Sequence, residues 1–135
     1  MLILGKECEV NLGNMTDLEK YIPLVEKYAK DLKKTPLQAE MTKINALNCP
    51  QAEKQKKLQA LGTEKTLESF RYVFDLAKAF IAAITDDDGD VMEMLGDSFN
   101  LAIKTAKEIY DCLNRQIAEI SQEMAATAEE FKTAE

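Results

Sequence analysis

Residues 99–131 read FNLAIKTAKEIYDCLNRQIAEISQEMAATAEEF. Stepping by four and three gives Phe99, Ile103, Ala106, Tyr110, Leu113, Ile117, Ile120, Met124, Thr127 and Phe131. Nine of these ten are apolar, and neither Gly nor Pro interrupts the stretch. Such spacing predicts a long amphipathic helix with one narrow apolar seam. At about 1.5 Å per residue the helix would be roughly 50 Å long. A compact domain of this size is only about 30–40 Å across. Part of the seam must therefore be covered by something other than this chain's own core. The distal positions Ile117, Ile120, Met124 and Phe131 are the expected interface, with a partner or with a second copy.

Working outward, the rest of the chain predicts one mainly α domain over residues 1–135, a helical bundle closed by that long helix. Gly and Pro are scarce, at 5 and 3, and 46% of residues are apolar, enough for a core. Leu67, Phe70, Phe74, Ala77, Ile81 and Ile84 step by three and four along a helix from about Glu64 to Ile84. This is the richest aromatic face in the chain and the expected centre of the core. Residues 1–13 hold the one β-like stretch. Gly5-Lys6 reads as a tight turn, and Cys8, Val10 and Leu12 alternate with Glu7, Glu9 and Asn11, which suggests a short hairpin.

Thr16-x-x-Glu19 reads as a capping box opening the first helix, whose stripe is Leu18, Ile22, Val25, Ala29 and Leu32. Pro23, one to two turns inside, should kink or divide that helix. Thr35-Pro36 is a second helix start, with Gln38 completing the box. Residues 48–63 are rich in Lys and Gln and weakly amphipathic, the best candidate for a mobile or partner-dependent segment. Residues 120–135 are the candidate projecting or frayed helix end.

Composition narrows the function. The chain has no His, which removes Ser-His and Cys-His nucleophile systems and the commonest zinc and iron ligand sets. Cys8, Cys49 and Cys112 are few and far apart, as expected of small buried hydrophobes in a reducing cytoplasm. No basic region followed by a long apolar run opens the chain, and no apolar stretch reaches 18 residues, so neither a signal peptide nor a membrane span is expected. Residues 1–65 carry 11 Lys+Arg and 9 Asp+Glu, a net +2, whereas residues 66–135 carry 6 and 15, a net −9. That balance disfavours nucleic acid as a partner.

Asp86-Asp87-Asp88-Gly89-Asp90 invites a calcium reading, but no register supplies Asp, Gly and Glu at positions 1, 6 and 12 of an EF-hand loop. An acidic interhelix turn explains the cluster through capping and the helix dipole. Glu108/Asp111 and Glu119/Glu123 are spaced as exposed flanks of a helix. Catalytic, cofactor and metal residues are all expected to be none, and no enzyme is nominated.

The order of elements is suggestive. The hairpin phrase ILGKECEVNL leads into NMTDLEKYIPLVEKY, a polar middle, then FRYVFDLAKAFI, the acidic turn DDDGDVMEMLGD, and a closing helix that includes IYDCLNRQI. In these features the chain resembles the small, acidic, helical tail-assembly chaperones of long-tailed phages and prophages of Gram-positive bacteria. The resemblance covers most of the chain and rests on order, size and local phrases rather than on a specific motif. It implies a non-enzymatic protein of the infected host's cytoplasm, absent from the finished virion. It further implies that the protein coats the aggregation-prone tape-measure protein while the tail tube polymerises, and that it self-associates as a homo-oligomer. Two alternatives stand beside it: a self-associating helical scaffold or adaptor without a client, and a small carboxylate-based metal-binding bundle or enzyme.

Overall fold

The structure, a computed structural model, describes residues 1–10 and 12–134. Asn11 and Glu135, over which the hairpin and helix-end expectations also ran, lie outside the described residues. Two short strands, β1 (Leu2–Ile3) and β2 (Lys6–Glu7), precede helices α1 (Met15–Leu32), α2 (Pro36–Asn45), α3 (Gln51–Gln59), α4 (Thr63–Ile84), α5 (Gly89–Leu95) and α6 (Phe99–Ala134). The fold is mainly α with a long C-terminal helix and an N-terminal antiparallel hairpin, as the sequence predicts.

The hairpin turns one residue earlier than expected. Leu2 pairs with Glu7 and Ile3 with Lys6, so Leu4-Gly5 forms the loop. Both loop residues have positive φ, 53° and 81°. A two-residue loop of that hand matches the twist of the strands it joins. Gly5 adopts such a φ freely, whereas Leu4 is held there against its side chain's preference. The alternation at Cys8, Val10 and Leu12 is not a strand: all three are buried against the helices as irregular chain.

Helix α1 also departs from expectation at its start. Asn14, not Thr16, is the N-cap, its side chain accepting the Asp17 N–H at 2.9 Å. Asn caps as well as Thr or better, so the earlier of two cap signals wins. Pro23 does not divide the helix, which runs unbroken through it with the ring exposed. The buried face is Tyr21, Val25 and Tyr28, with Leu18 and Leu32 only partly covered. Tyr28 stacks on Phe80 of α4 at 4.3 Å and 12°. Burial pushes its phenol pKa up.

Thr35 and Pro36 open α2 as predicted, Thr35 Oγ1 accepting the Gln38 N–H. Ser69 of α4, buried, accepts the Leu37 N–H at 2.8 Å and so satisfies one of the orphan donors of that first turn. Tyr72 donates its hydroxyl to the Asp31 carbonyl at 2.8 Å and ties α4 to the end of α1. Helix α3 packs chiefly on α2 and has no buried residue.

The core sits where the second half of α4 meets α1, α5 and α6. Ala77, Ile81, Ile84, Val91, Leu95, Ala106 and Leu113 are at most 1% exposed. Ala77, Ala102 and Ala106 are all fully buried on α4 and α6, small side chains that suit a close approach of these two helices. The expectation that the whole aromatic face of α4 lies inside is corrected: Leu67 and Phe70 are 65% and 53% exposed. Phe74 is half-buried. Of the cysteines, Cys8 is buried, while Cys49 and Cys112 are only partly so.

Candidate protein-interaction surface

The acidic turn is a joint between elements. Asp86 and Asp87 take the left-handed conformation, at φ 54° and 58°, which short acidic side chains tolerate better than most. Asp88 then caps α5, its carboxylate accepting the N–H groups of Asp90 and Val91 at 3.0 and 3.2 Å. Lysines from elsewhere pair with three of its four aspartates. Lys6 of the hairpin reaches Asp88 at 2.7 Å and Asp90 at 3.0 Å, and Lys20 of α1 reaches Asp86. Among the described residues no group of three or more His, Cys, Asp or Glu is placed to hold a metal ion.

These contacts give the turn a pH signature. The Lys6 ammonium, with the Val91 N–H, holds the Asp88 carboxyl below its usual range. Asp88 and Asp90 in turn raise Lys6. A depressed carboxylate contributes stability that is complete above its unfolded pKa and lost as pH falls through the folded one. A raised lysine contributes fully below its unfolded pKa and loses that only above it. Stability from this joint is therefore flat from neutrality to mild alkali and falls on acidification below the ordinary carboxylate range. Asp88→Asn keeps the cap but removes the charge, and urea midpoints between about pH 7 and 3 should fall less steeply in the variant. Equal slopes would show that Lys6 does not hold Asp88.

Helix α6 supplies the first exposed apolar surface. At about 1.5 Å per residue its 36 residues span roughly 54 Å. Ala102, Ala106, Ile109 and Leu113 face the core. Ile117 and Ile120 are partly buried and pack against the edge of the core. From Ser121 to Lys132 every residue is exposed. Met124 and Phe131, 69% and 72% exposed, continue the core-facing line of Leu113 and Ile120 beyond the point where the core stops. The four expected interface residues thus divide: Ile117 and Ile120 sit at the rim of the bundle, and Met124 and Phe131 sit on an overhang about 18 Å long.

The second surface was not anticipated. Helix α6 begins at Phe99, whose ring meets Phe70 edge-on at 5.4 Å and lies along Phe74 at 6.4 Å. The first turns of α4 therefore extend past the start of α6 and leave Leu67 and Phe70 65% and 53% exposed. Lys78 lies 5.2 Å from the centre of the Phe74 ring and donates to the Gly96 carbonyl at 3.1 Å. Periodicity assigned Leu67 and Phe70 to an apolar face correctly, but no local signal says where along that face a neighbouring helix begins.

The acidic pairs proposed as solvated flanks are exposed, Asp111 pairing with Lys107 at 2.9 Å. No helix among the described residues is long and apolar enough to cross a membrane. No family model, curated protein or solved structure matches this chain.

Proposed function

We propose that this protein is a non-enzymatic tail-assembly chaperone that coats and solubilises a phage tape-measure protein in the host cytoplasm and is left out of the mature virion. The observation that carries this is the overhang of α6, an apolar line at Met124 and Phe131 with no core beneath it. An unassembled tape-measure chain exposes long apolar stripes. A helix that offers its own stripe covers them by helix-on-helix packing, and tube subunits displace it later because each contact is small. The resemblance in element order supports the choice of client. No cofactor and no nucleic acid enters this role.

The test is co-expression with a tape-measure protein of a long-tailed phage of Gram-positive bacteria. The expected result is that the client moves from the pellet to the supernatant and co-purifies, and that Met124→Glu with Phe131→Glu returns it to the pellet. A client that stays insoluble with the wild-type protein, or is rescued equally by the variant, overturns the proposal. The alternative of a self-associating scaffold without a client is favoured by the second exposed surface, at Leu67 and Phe70.

A further inference from the structure

We infer that α2 and α3 form an arm that swings off α4 as a unit while the core stays folded, with Ser69 as its clasp, and that the closed arm masks part of the face of α4. The inference stands with or without a client.

The arm is held lightly. Of residues 36–59 only Ile44 is buried. Ile44 lies outside the cluster of side chains that forms the core, and neither Leu37 nor Met41 packs against that cluster. The arm therefore rests on α4 through a small apolar patch of its own. Its other polar ties are internal: Lys43 pairs with Glu40, and Lys54 of α3 donates to the Asn45 carbonyl of α2. Among the described residues one hydrogen bond joins the arm to α1 or α4, from the Leu37 N–H to Ser69 Oγ at 2.8 Å. Few buried apolar contacts and one polar tie are the marks of a segment that opens below the cost of global unfolding.

The two roots of the arm allow it to turn without disturbing what it leaves. Tyr72 of α4 holds the Asp31 carbonyl at 2.8 Å, so α1 stays tied to α4 up to the point where the arm departs. Lys33, Lys34 and Thr35 form the short link from there to α2. At the other root Gly62 opens α4 with no side-chain cap, and a side chain placed there would meet nothing within 4 Å. A glycine in open space between two helices absorbs a change of backbone angle at little steric cost.

What the arm hides follows from the helix period. Ser69 is buried, although Leu67 and Phe70 on either side of it are exposed. At about 100° per residue, Thr66 and Val73 lie within about 60° of Ser69, on the side towards Phe70. The masked face thus runs directly beside the exposed one. Swinging the arm away uncovers Ser69 and frees Leu37, Met41 and Ile44, an apolar stripe on α2 at helical spacing. The apolar surface at the start of α4 grows accordingly. A partner that reaches past Phe70 meets its full site only in the open state, so the closed arm lowers its apparent affinity in proportion to the open fraction.

The test is hydrogen–deuterium exchange of the full chain, read by mass spectrometry with no partner present. Relative to intrinsic rates, amides of residues 37–59 should exchange at least about 100-fold faster than those of residues 102–113. Leu113→Ala then decides whether the opening is local. It weakens the core equally whether the arm is closed or open, so it should speed exchange at 102–113 and leave 37–59 unchanged. Ser69→Ala removes the clasp and should speed exchange at 37–59 by roughly 2–10-fold. An arm protected as well as α6, or equal acceleration of both segments in Leu113→Ala, means that the arm opens only when the whole chain unfolds, and overturns the inference. An unchanged rate in Ser69→Ala overturns the part given to Ser69. Should Leu113→Ala fail to fold, the wild type in rising urea below its unfolding transition gives the same decision. Exchange in the arm should depend weakly on urea and exchange in the core steeply, because opening the arm alone exposes little surface. Parallel slopes overturn the inference.

Discussion

Phe80→Ala should destabilise the protein by about 3–5 kcal/mol, whereas Phe70→Ala should cost less than about 1 kcal/mol. Both are phenylalanines on α4, ten residues apart, and periodicity alone ranks Phe70 at least as high. Their surroundings differ. Phe80 is 5% exposed and stacked on Tyr28, which is itself buried. Its removal forfeits the transfer of a whole ring from water and leaves a cavity in the joint between α1 and α4. It also ends an aromatic pair worth about 0.5–1.5 kcal/mol beyond area. Phe70 meets Phe99 edge-on and is more than half exposed. Urea titrations with a shared m-value would give the two differences directly. A Phe80 loss no larger than that of Phe70 would show that α1 does not dock on the second half of α4.

That contrast marks what the sequence reveals and what it withholds. Helix existence and several ends were legible, because the signals are local: Thr35-Pro36 opens α2, and the apolar run to Ile84 closes α4. Local signals fail where two compete, as at Asn14 and Thr16, or where the context forgives a breaker. Pro23 lies on the exposed side of α1, where water can take the carbonyl its missing N–H leaves free. The long seam of α6 was legible as a seam, and so was the excess of its length over the domain. Which of its residues leave the core depends on where the partner elements end, a tertiary fact. The same holds for Leu67 and Phe70. The lock between Lys6 and Asp88 joins residues 82 positions apart, and no pattern in either segment announces it.

The last expectation cuts α6 at the point where the core releases it. Leu113→Ala, at a position with no exposure, should cost about 2–5 kcal/mol. Ile117→Glu with Ile120→Glu should also read on folding, because both side chains pack partly against the core. Full burial of an isoleucine is worth about 1.5–3 kcal/mol, and the two together forfeit roughly half of that each, so the double change should cost roughly 2–4 kcal/mol once the half-buried carboxylates are added. Met124→Glu with Phe131→Glu should leave the unfolding midpoint within about 0.5 kcal/mol of the wild type, since both side chains are about 70% exposed. Measured at a concentration low enough to keep the wild type monomeric, the series separates folding from assembly. The first two changes move the denaturation curve. The third moves only mass or client binding. If Met124 and Phe131 prove as costly to folding as Leu113, the overhang rests on this chain's own core and the interaction surface built on it is lost. If the Ile117 and Ile120 change leaves the curve in place, the core stops at Leu113 and the free seam begins one turn earlier.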